Sequence, residues 1–488
     1  MYKIAIIGGG VVGGMIAREM SKYDVRLVLL EKENDVAMGQ SKANSGIVHA
    51  GYDPEPGSLK AILNVRGSQM MEEICKELNV KYRKNGTLVV GFDEEDMKRL
   101  GQLLERGRKN GVEGLEIIDG ETARKMERNL SEKIIGALYA PTGAVVCPYE
   151  LTTHSIGNAM DNGAELLTQF EVTEIKKIEN DGNRQRTYFY EITASDGRKI
   201  QTEYVVNCAG IHSDEVAKLV GDCEFSITPR RGQYLLLDKE AGGLVNATVF
   251  RTPTVMGKGV LAVRTVDGNI LLGPTSEDIE DKEDKAVTEE GLASVIAREA
   301  EFFDDIPMDK VITQFTGLRA HGNTGDFIIE SPEAGFINCA GIESPGLSAS
   351  PAIAEMVEEM LIEAGATGKL KQDYRPEVKG IIRFKDMTAE EKNRLIAQNP
   401  AYGRVVCRCE EITEGEILDA IRRNPPARDV DAVKRRTRAG MGRCQGGFCM
   451  PTVAELLAEE LGIPFEKVTK SGEGSEITFE RTKTGGDK

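Results

Sequence analysis

The 488-residue chain is 40% hydrophobic and 29% charged, an ordinary globular balance at a length that calls for two or three domains. Its formal net charge of −17 argues against nucleic acid as a partner of the whole protein. No run of about eighteen apolar residues is available to span a membrane. The apolar start at Ile4 lacks a basic flank and is broken by Gly8, Gly9, Gly10, Gly13 and Gly14, so it does not read as a secretion signal.

Lys3 to Ile7 is an apolar run ending in glycine and predicts a buried strand. Val12 to Met20 carries a helical pattern, and Val25 to Glu31 is a second apolar run closed by an acid. Together they have the size of a βαβ unit. A loop rich in Gly, Ser and Asn runs from Gly39 to Gly51, and helices are predicted around 60–78 and 94–109. From Phe170 the texture turns to β, with runs at 170–178, 187–194 and 199–207 joined by the hairpin signals Asp181-Gly182 and Asp196-Gly197. A second β-rich stretch covers 226–273 and contains Asp267-Gly268.

Residues 288–303 read as helix, and Phe327 to Ile329 and Phe336 to Asn338 as short strands. A loop from Gly341 to Gly346 precedes a helix predicted over 350–364. A glycine loop opening a helix thus occurs at both ends of the first 370 residues, which predicts that the two parts meet around one ligand. Residues 366–400 are polar and read as a linker with one helix. Thr413 and Glu416 form a capping-box signature, and the last twenty residues read as a mobile tail.

Two motifs carry chemistry. Gly8-x-Gly10-x-x-Gly13 sits after a strand and opens a helix, the position required of a dinucleotide fingerprint. Gly8 permits the tight turn, Gly10 lets the main chain approach a pyrophosphate, and Gly13 lets the helix pack on the strand. Glu31 ends the second strand, placed to accept ribose hydroxyls. The other motif is four cysteines: Cys407 and Cys409, then Cys444 and Cys449. Their spacing leaves structural zinc and a [2Fe–2S] cluster both open. The basic residues Lys434, Arg435, Arg436, Arg438 and Arg443 favour the cluster, because cations ease reduction of a dianionic centre, although a solvated face or a partner patch is the plainer reading. A one-electron centre needs a donor that releases electrons singly, so the dinucleotide is read as FAD rather than NAD. The remaining five cysteines (Cys75, Cys147, Cys208, Cys223, Cys339) read as buried small hydrophobes.

These residues resemble a known family. Stretch 404–449, including RTRAGMGRCQGGFC at 436–449, looks like the bacterioferritin-associated-ferredoxin-like [2Fe–2S] domain that ends the large subunit of anaerobic glycerol-3-phosphate dehydrogenases. The first 370 residues are similar to the FAD-dependent glycerol-3-phosphate dehydrogenase and L-2-hydroxyglutarate oxidase superfamily, and GQSKANSGIVHAGYDPEPGSLKA at 39–61 leans to the L-2-hydroxyglutarate branch.

The resemblance implies an α/β chain: a Rossmann-like FAD-binding domain (1–80, 145–225, 325–370), a β-rich substrate domain (81–144, 226–324), a linker (371–400), a small helical [2Fe–2S] domain (401–462) and a tail (463–488). It places Gly8, Gly10, Gly13 and Glu31 at the FAD pyrophosphate and ribose, and Ser41, Asn44, Ser45, Gly46 and His49 along the flavin. Val172 falls at the adenine side, Ala209 and Gly210 at a second nucleotide turn, and Gly346, Leu347 and Ser348 in the last loop at the flavin's pyrimidine edge. Arg319 corresponds to an arginine near the substrate anion. It is followed by Ala320 and His321, where the glycerol-phosphate branch usually carries proline.

The implied reaction oxidises a secondary alcohol beside an anionic group and sends electrons to a partner subunit or to quinone. His49 is the preferred base or flavin partner, with His321 close behind; His154 and His212 fall on predicted helices or helix starts, where a structural role is expected. Arg319 is the expected anion binder. Arg251, Lys258 and Arg264 are weaker candidates for the anion, since in hairpins such charges usually form the wet face. Three functions are carried forward: glycerol-3-phosphate dehydrogenase, 2-hydroxy-acid dehydrogenase acting on L-2-hydroxyglutarate or a relative, and a flavin and iron–sulfur redox sensor. The expected location is the cytoplasm, with any membrane association made through a partner.

Overall fold

The computed structural model describes residues 1–179, 188–221, 223–253 and 259–478. The Asp181-Gly182 turn, Lys258 and the tail from 479 lie outside the described residues. The chain divides into two compact units, one of Met1–Lys32 and Ala37–Val378, the other of Glu33–Val36 and Lys379–Lys488.

In the first unit, strand Tyr2–Ile7 is paired in parallel with Leu27–Leu30 on one side and Lys199–Asn207 on the other. Glu165–Leu167 extends the sheet beyond Leu27–Leu30. Lys199–Asn207 turns its far edge first to Tyr188–Ala194, antiparallel, and then to Phe336–Ala340, parallel. All four residues of Leu27–Leu30 are buried, as expected of a strand covered on both faces. Helix Val11–Met20 packs against helices Pro148–Asp161 and Gly346–Glu363. The Asp196-Gly197 signal forms its hairpin, with Gly197 at φ +88 donating to Ala194 C=O at 2.9 Å.

A second sheet in the same unit draws its strands from 87–140 and 227–322. Strand Thr87–Gly91 shows why both of its faces are covered: Leu88 and Val90 belong to one apolar cluster, and Val89 to another. Side chains alternate along a strand, so five consecutive buried residues need packing on both sides. Helix Glu289–Glu299 supplies Val295 to one cluster, and helix Glu94–Lys109 supplies Leu100 and Leu103 to the other. Long strands Ile227–Leu237 and Val311–Gly322 pair antiparallel along almost their whole length. Cys75, Cys147, Cys208 and Cys339 are buried, Cys223 is half-buried, and all five are free thiols.

One buried acid sets a pH dependence. Glu299 is fully buried; Gly273 N–H reaches Oε1 at 3.3 Å, and Oε2 has no hydrogen-bond partner among the described residues. Burial pushes its carboxyl from 4.5 up to about 8. The folded chain then keeps a proton that the unfolded chain releases, so stability is full below about 4.5 and is lost as pH rises to about 8. The slope approaches about 1.4 kcal/mol per pH unit within that window. Urea midpoints measured from pH 5 to 8 should fall in the native chain and flatten in Glu299→Gln; equal slopes would show that Glu299 is not the source.

The second unit is small and helical, with helices Ala389–Gln398, Glu414–Arg422, Val430–Thr437 and Met450–Leu461. The predicted capping box at Thr413 and Glu416 is present, and Thr388 and Glu391 form a second one. Ile417, Ile421, Val433, Val453 and Leu457 make its core.

Candidate functional site

The turn after Tyr2–Ile7 is shaped by contacts that only glycine permits. Gly8 has φ +112, and a Cβ there would meet the Cys208 carbonyl oxygen at 2.3 Å. A Cβ on Gly13 would lie 2.1 Å from the Gly8 carbonyl oxygen, which is how closely the helix returns to the turn. At Gly10 the nearest atom to a Cβ would be Ser41 Oγ at 3.3 Å. That hydroxyl accepts from Val11 N–H at 2.9 Å, at the start of the helix. Glu31 is buried, and its carboxylate accepts from Gly9 N–H at 2.7 Å. Cys208 N–H donates to Ile7 C=O, bringing Ala209 and Gly210 beside the turn, with Gly210 at φ +59. Phe170 N–H donates to Glu31 C=O, which ties the approach to half-buried Val172 to the same strand end. Bare main chain, a helix start and an acid therefore converge here, a donor set that fits a dinucleotide.

The glycine-rich loop has its own internal frame. Asn44 Nδ2 donates to the carbonyls of Gln40 and Ser41 at 3.0 and 3.1 Å, and its Oδ1 accepts from Gly46 N–H at 2.8 Å. Gly46 has φ +67. Ser45 Oγ lies 3.4 Å from the Tyr234 hydroxyl. His49 is fixed from behind, its main-chain N–H donating to Ser348 Oγ at 2.8 Å. Its Nε2 lies 3.3 Å from Ser344 Oγ, and its ring centroid is 5.8 Å from that of Phe250.

The predicted loop at 346–348 is corrected. Gly346, Leu347 and Ser348 form the first turn of helix Gly346–Glu363, four residues before the predicted start. Proline suits the first helical position, where its missing N–H costs nothing. Here Pro351 sits inside the helix, where it leaves the Leu347 carbonyl without its usual N–H. Ser350 Oγ donates to that carbonyl at 2.9 Å instead.

Strand Val311–Gly322 carries the anion end. Arg319 and His321 are two residues apart and share one face, while Ala320 between them is buried. Arg319 donates to Thr275 C=O at 3.2 Å, and a Cβ on Gly232 would come within 2.9 Å of its Nη2, so that glycine admits the guanidinium. His321 Nδ1 lies 2.9 Å from Glu343 Oε1, and Lys60 Nζ is 3.1 Å from the same oxygen. Burial pushes the Glu343 carboxyl up, but Lys60 and His321 outweigh it and hold the group below its usual value. Gln40 joins the flavin loop to this strand: Oε1 accepts from Ala320 N–H at 2.9 Å, and Nε2 donates to Ile342 C=O at 3.3 Å.

Gln40, Lys60, Gly232 and Glu343 are absent from the sequence reading. Glu343 left a signal as the one acid of the glycine-bounded segment 341–346, and Gln40 and Lys60 lie inside the quoted stretch 39–61. Arg251 is engaged by Glu301 and by the Phe92 ring, and Arg264 lies partly buried on strand Leu261–Arg264. His154 is buried and bonded to Leu78 C=O, and His212 lies between Glu215 and Glu283, both structural settings.

In the second unit the thiols lie as two pairs. Cys409 Sγ and Cys444 Sγ are 3.5 Å apart, and Cys407 is hydrogen-bonded to Cys449. Among the described residues no three ligating side chains gather on one point. Main-chain N–H groups are aimed at the sulfurs: Gly440 and Glu410 at Cys407, Cys444 at Cys409, and Phe448 and Gly446 at Cys444. Cys449's thiol, with the first two of these N–H groups, holds Cys407 down at about 6. Two sulfur pairs in a nest of N–H donors are the donor set of a two-iron, four-thiolate centre. The basic run is corrected. Arg435 and Arg436 are buried on Asp35, Arg438 pairs with Glu410 at 2.9 Å, and Lys434 lies 3.7 Å from Asp431. Burial pushes the Asp35 carboxyl up, yet the two arginines hold it at about 2. Most of the run is therefore structural, because charges buried at this density need partners.

Comparison with known proteins agrees with both halves. Residues 3–360 match the family described as FAD dependent oxidoreductase, and residues 405–459 match the BFD-like [2Fe-2S] binding domain. The chain is 46% identical to a glycerol 3-phosphate dehydrogenase of Caloramator mitchellensis over 99% of both chains. It is 31% identical to a glycerol 3-phosphate oxidase of Mycoplasma genitalium over 73% of this chain and 94% of that protein. The L-α-glycerophosphate oxidase of Mycoplasma pneumoniae, solved with FAD bound, superposes with a TM-score of 0.71 at 29% identity, covering 77% of this chain and 98% of that one. The chain therefore belongs to the FAD dependent oxidoreductase family, with a C-terminal BFD-like [2Fe–2S] domain and with FAD and a [2Fe–2S] cluster as its cofactors.

Proposed function

We propose that the chain oxidises the secondary hydroxyl of sn-glycerol 3-phosphate to give dihydroxyacetone phosphate, and that electrons leave through the C-terminal centre to a partner protein or quinone. The observation that carries this reading is the full-length likeness to a glycerol 3-phosphate dehydrogenase, 46% identical across both the flavin and the cysteine units. When bound, FAD supplies the hydride acceptor and the [2Fe–2S] cluster a one-electron carrier.

The chain's own groups bind, orient and move the proton. Arg319 and His321, on one strand face, hold the phosphate, and Glu343 orients His321 through Nδ1. His49 takes the hydroxyl proton at Nε2, the nitrogen that already faces a hydroxyl, that of Ser344. No helix among the described residues is long and apolar enough to cross a membrane, so any quinone would be met at a surface or through the partner.

Arg319→Ala should raise KM for glycerol 3-phosphate by roughly 10- to 100-fold with a smaller change in kcat, the loss of a charge-assisted contact worth about 1.5–3 kcal/mol. An unchanged KM would remove Arg319 from the anion site. The Arg319-Ala320-His321 departure favours a second reading, a 2-hydroxy acid substrate. Anaerobic mixing with glycerol 3-phosphate, L-2-hydroxyglutarate and lactate decides between them. Flavin bleaching by glycerol 3-phosphate supports the first reading, bleaching by L-2-hydroxyglutarate alone supports the second, and bleaching by none supports a sensor.

A further inference from the structure

We propose that the exposed edge of the four-cysteine centre is a docking surface for an acidic one-electron carrier protein, with Phe448 as its anchor. The proposal rests on the reading above that electrons leave through this centre. Phe448 is 81% exposed, the most exposed large hydrophobic side chain among the described residues. Its loop neighbours are Gln445, Gly446 and Gly447, so the ring has no local packing role. Its main-chain N–H donates to the Cys444 sulfur, which places the ring beside one of the four thiols.

Those thiols are not equally covered. Cys407 and Cys449 are buried, Cys444 is half-buried and Cys409 is exposed. Electron transfer slows steeply with distance, so a carrier must approach from the side of Cys409 and Cys444. Charge selects its chemistry. The whole chain carries −17, yet the exposed charges of residues 405–449 are Arg408, Arg422, Arg428 and Arg443 against Glu411 and Asp419. Arg408 and Arg443 are the chain neighbours of Cys409 and Cys444, and Glu411 is the exposed acid nearest to them in sequence. A locally basic edge on an acidic protein steers an acidic partner to that edge, whereas a basic carrier would be drawn elsewhere. An exposed aromatic flanked by arginines also has the composition of an interface anchor.

The test uses anaerobically purified, iron-loaded full chain. Its binding to an oxidised plant-type [2Fe–2S] ferredoxin, an acidic carrier, is measured by calorimetry at low and high salt, with basic cytochrome c in parallel. Ferredoxin binding should weaken as salt rises. Phe448→Ala and Arg408→Glu should each weaken it by about tenfold or more. The cluster's EPR signal and the bleaching of the flavin by substrate should stay at their native values. Equal binding of cytochrome c, or an unchanged ferredoxin affinity in Phe448→Ala, would overturn the proposal. So would a dimer in sedimentation that Phe448→Ala dissociates, which would assign the surface to a second copy. Binding is read without turnover, so failure of glycerol 3-phosphate to bleach the native flavin would overturn the substrate reading alone.

Discussion

His49→Asn should slow bleaching of the flavin by substrate by roughly 10²–10⁴-fold, the range for loss of a positioned general base, with little change in substrate KM. Asparagine has no basic nitrogen, so the hydroxyl proton has no acceptor. Its shape leaves the frame intact, because the anchor to Ser348 Oγ comes from the main-chain N–H, which the substitution keeps. His321→Asn is the companion experiment. His321 shares its strand face with Arg319 and leans on Glu343, so its loss should appear chiefly as a raised KM. Anaerobic stopped-flow across substrate concentrations separates the two parameters. A near-native rate in His49→Asn with a collapsed rate in His321→Asn would exchange the two roles.

Cys444→Ser should abolish the cluster's visible absorption and EPR signal and drop carrier reduction to background, while substrate still bleaches the flavin at the native rate. A serine hydroxyl is a poor replacement for a thiolate ligand, and Cys444 is paired with Cys409 at 3.5 Å. The N–H groups of Gly446 and Phe448 would then point at a group that no longer ligates. The unit's apolar core takes in Cys407 and Cys449 beside Ile417, Ile421, Val433 and Leu457 but not Cys444, and the flavin unit has its own cores. Metal loss should therefore lower the stability of the small unit and spare the flavin site. Iron analysis, EPR and parallel assays with substrate alone and with carrier check this. Undiminished carrier reduction in iron-free protein would remove the cluster from the path.

The motifs that name the chemistry were readable in the residues because each is local. The Gly8, Gly10 and Gly13 turn depends on contacts over a few residues and on the absence of a Cβ, so spacing alone declares it. The capping box at Thr413 and Glu416 and the hairpins at Asp196-Gly197 and Asp267-Gly268 are local in the same way. The four cysteines announce a metal centre by spacing, although their division into two pairs belongs to the fold.

Tertiary structure decided the rest, because it depends on groups far apart in the chain. The helix predicted over 350–364 opens four residues earlier, at Gly346, because Ser350 serves the Leu347 carbonyl that Pro351 leaves without its N–H. The basic run at 434–438 reads as a cationic field until Asp35, four hundred residues away, is found between Arg435 and Arg436. Lys60, Glu343 and His321 meet only because a helix, a loop and a strand converge, and no periodicity encodes such a meeting. The sequence by itself therefore determined the cofactor turn and the thiol set, since a missing Cβ and a ligand spacing are properties of short segments. The geometry that orients the histidines was decided only by folding, since a buried carboxylate acts through whatever distant charges packing brings to it.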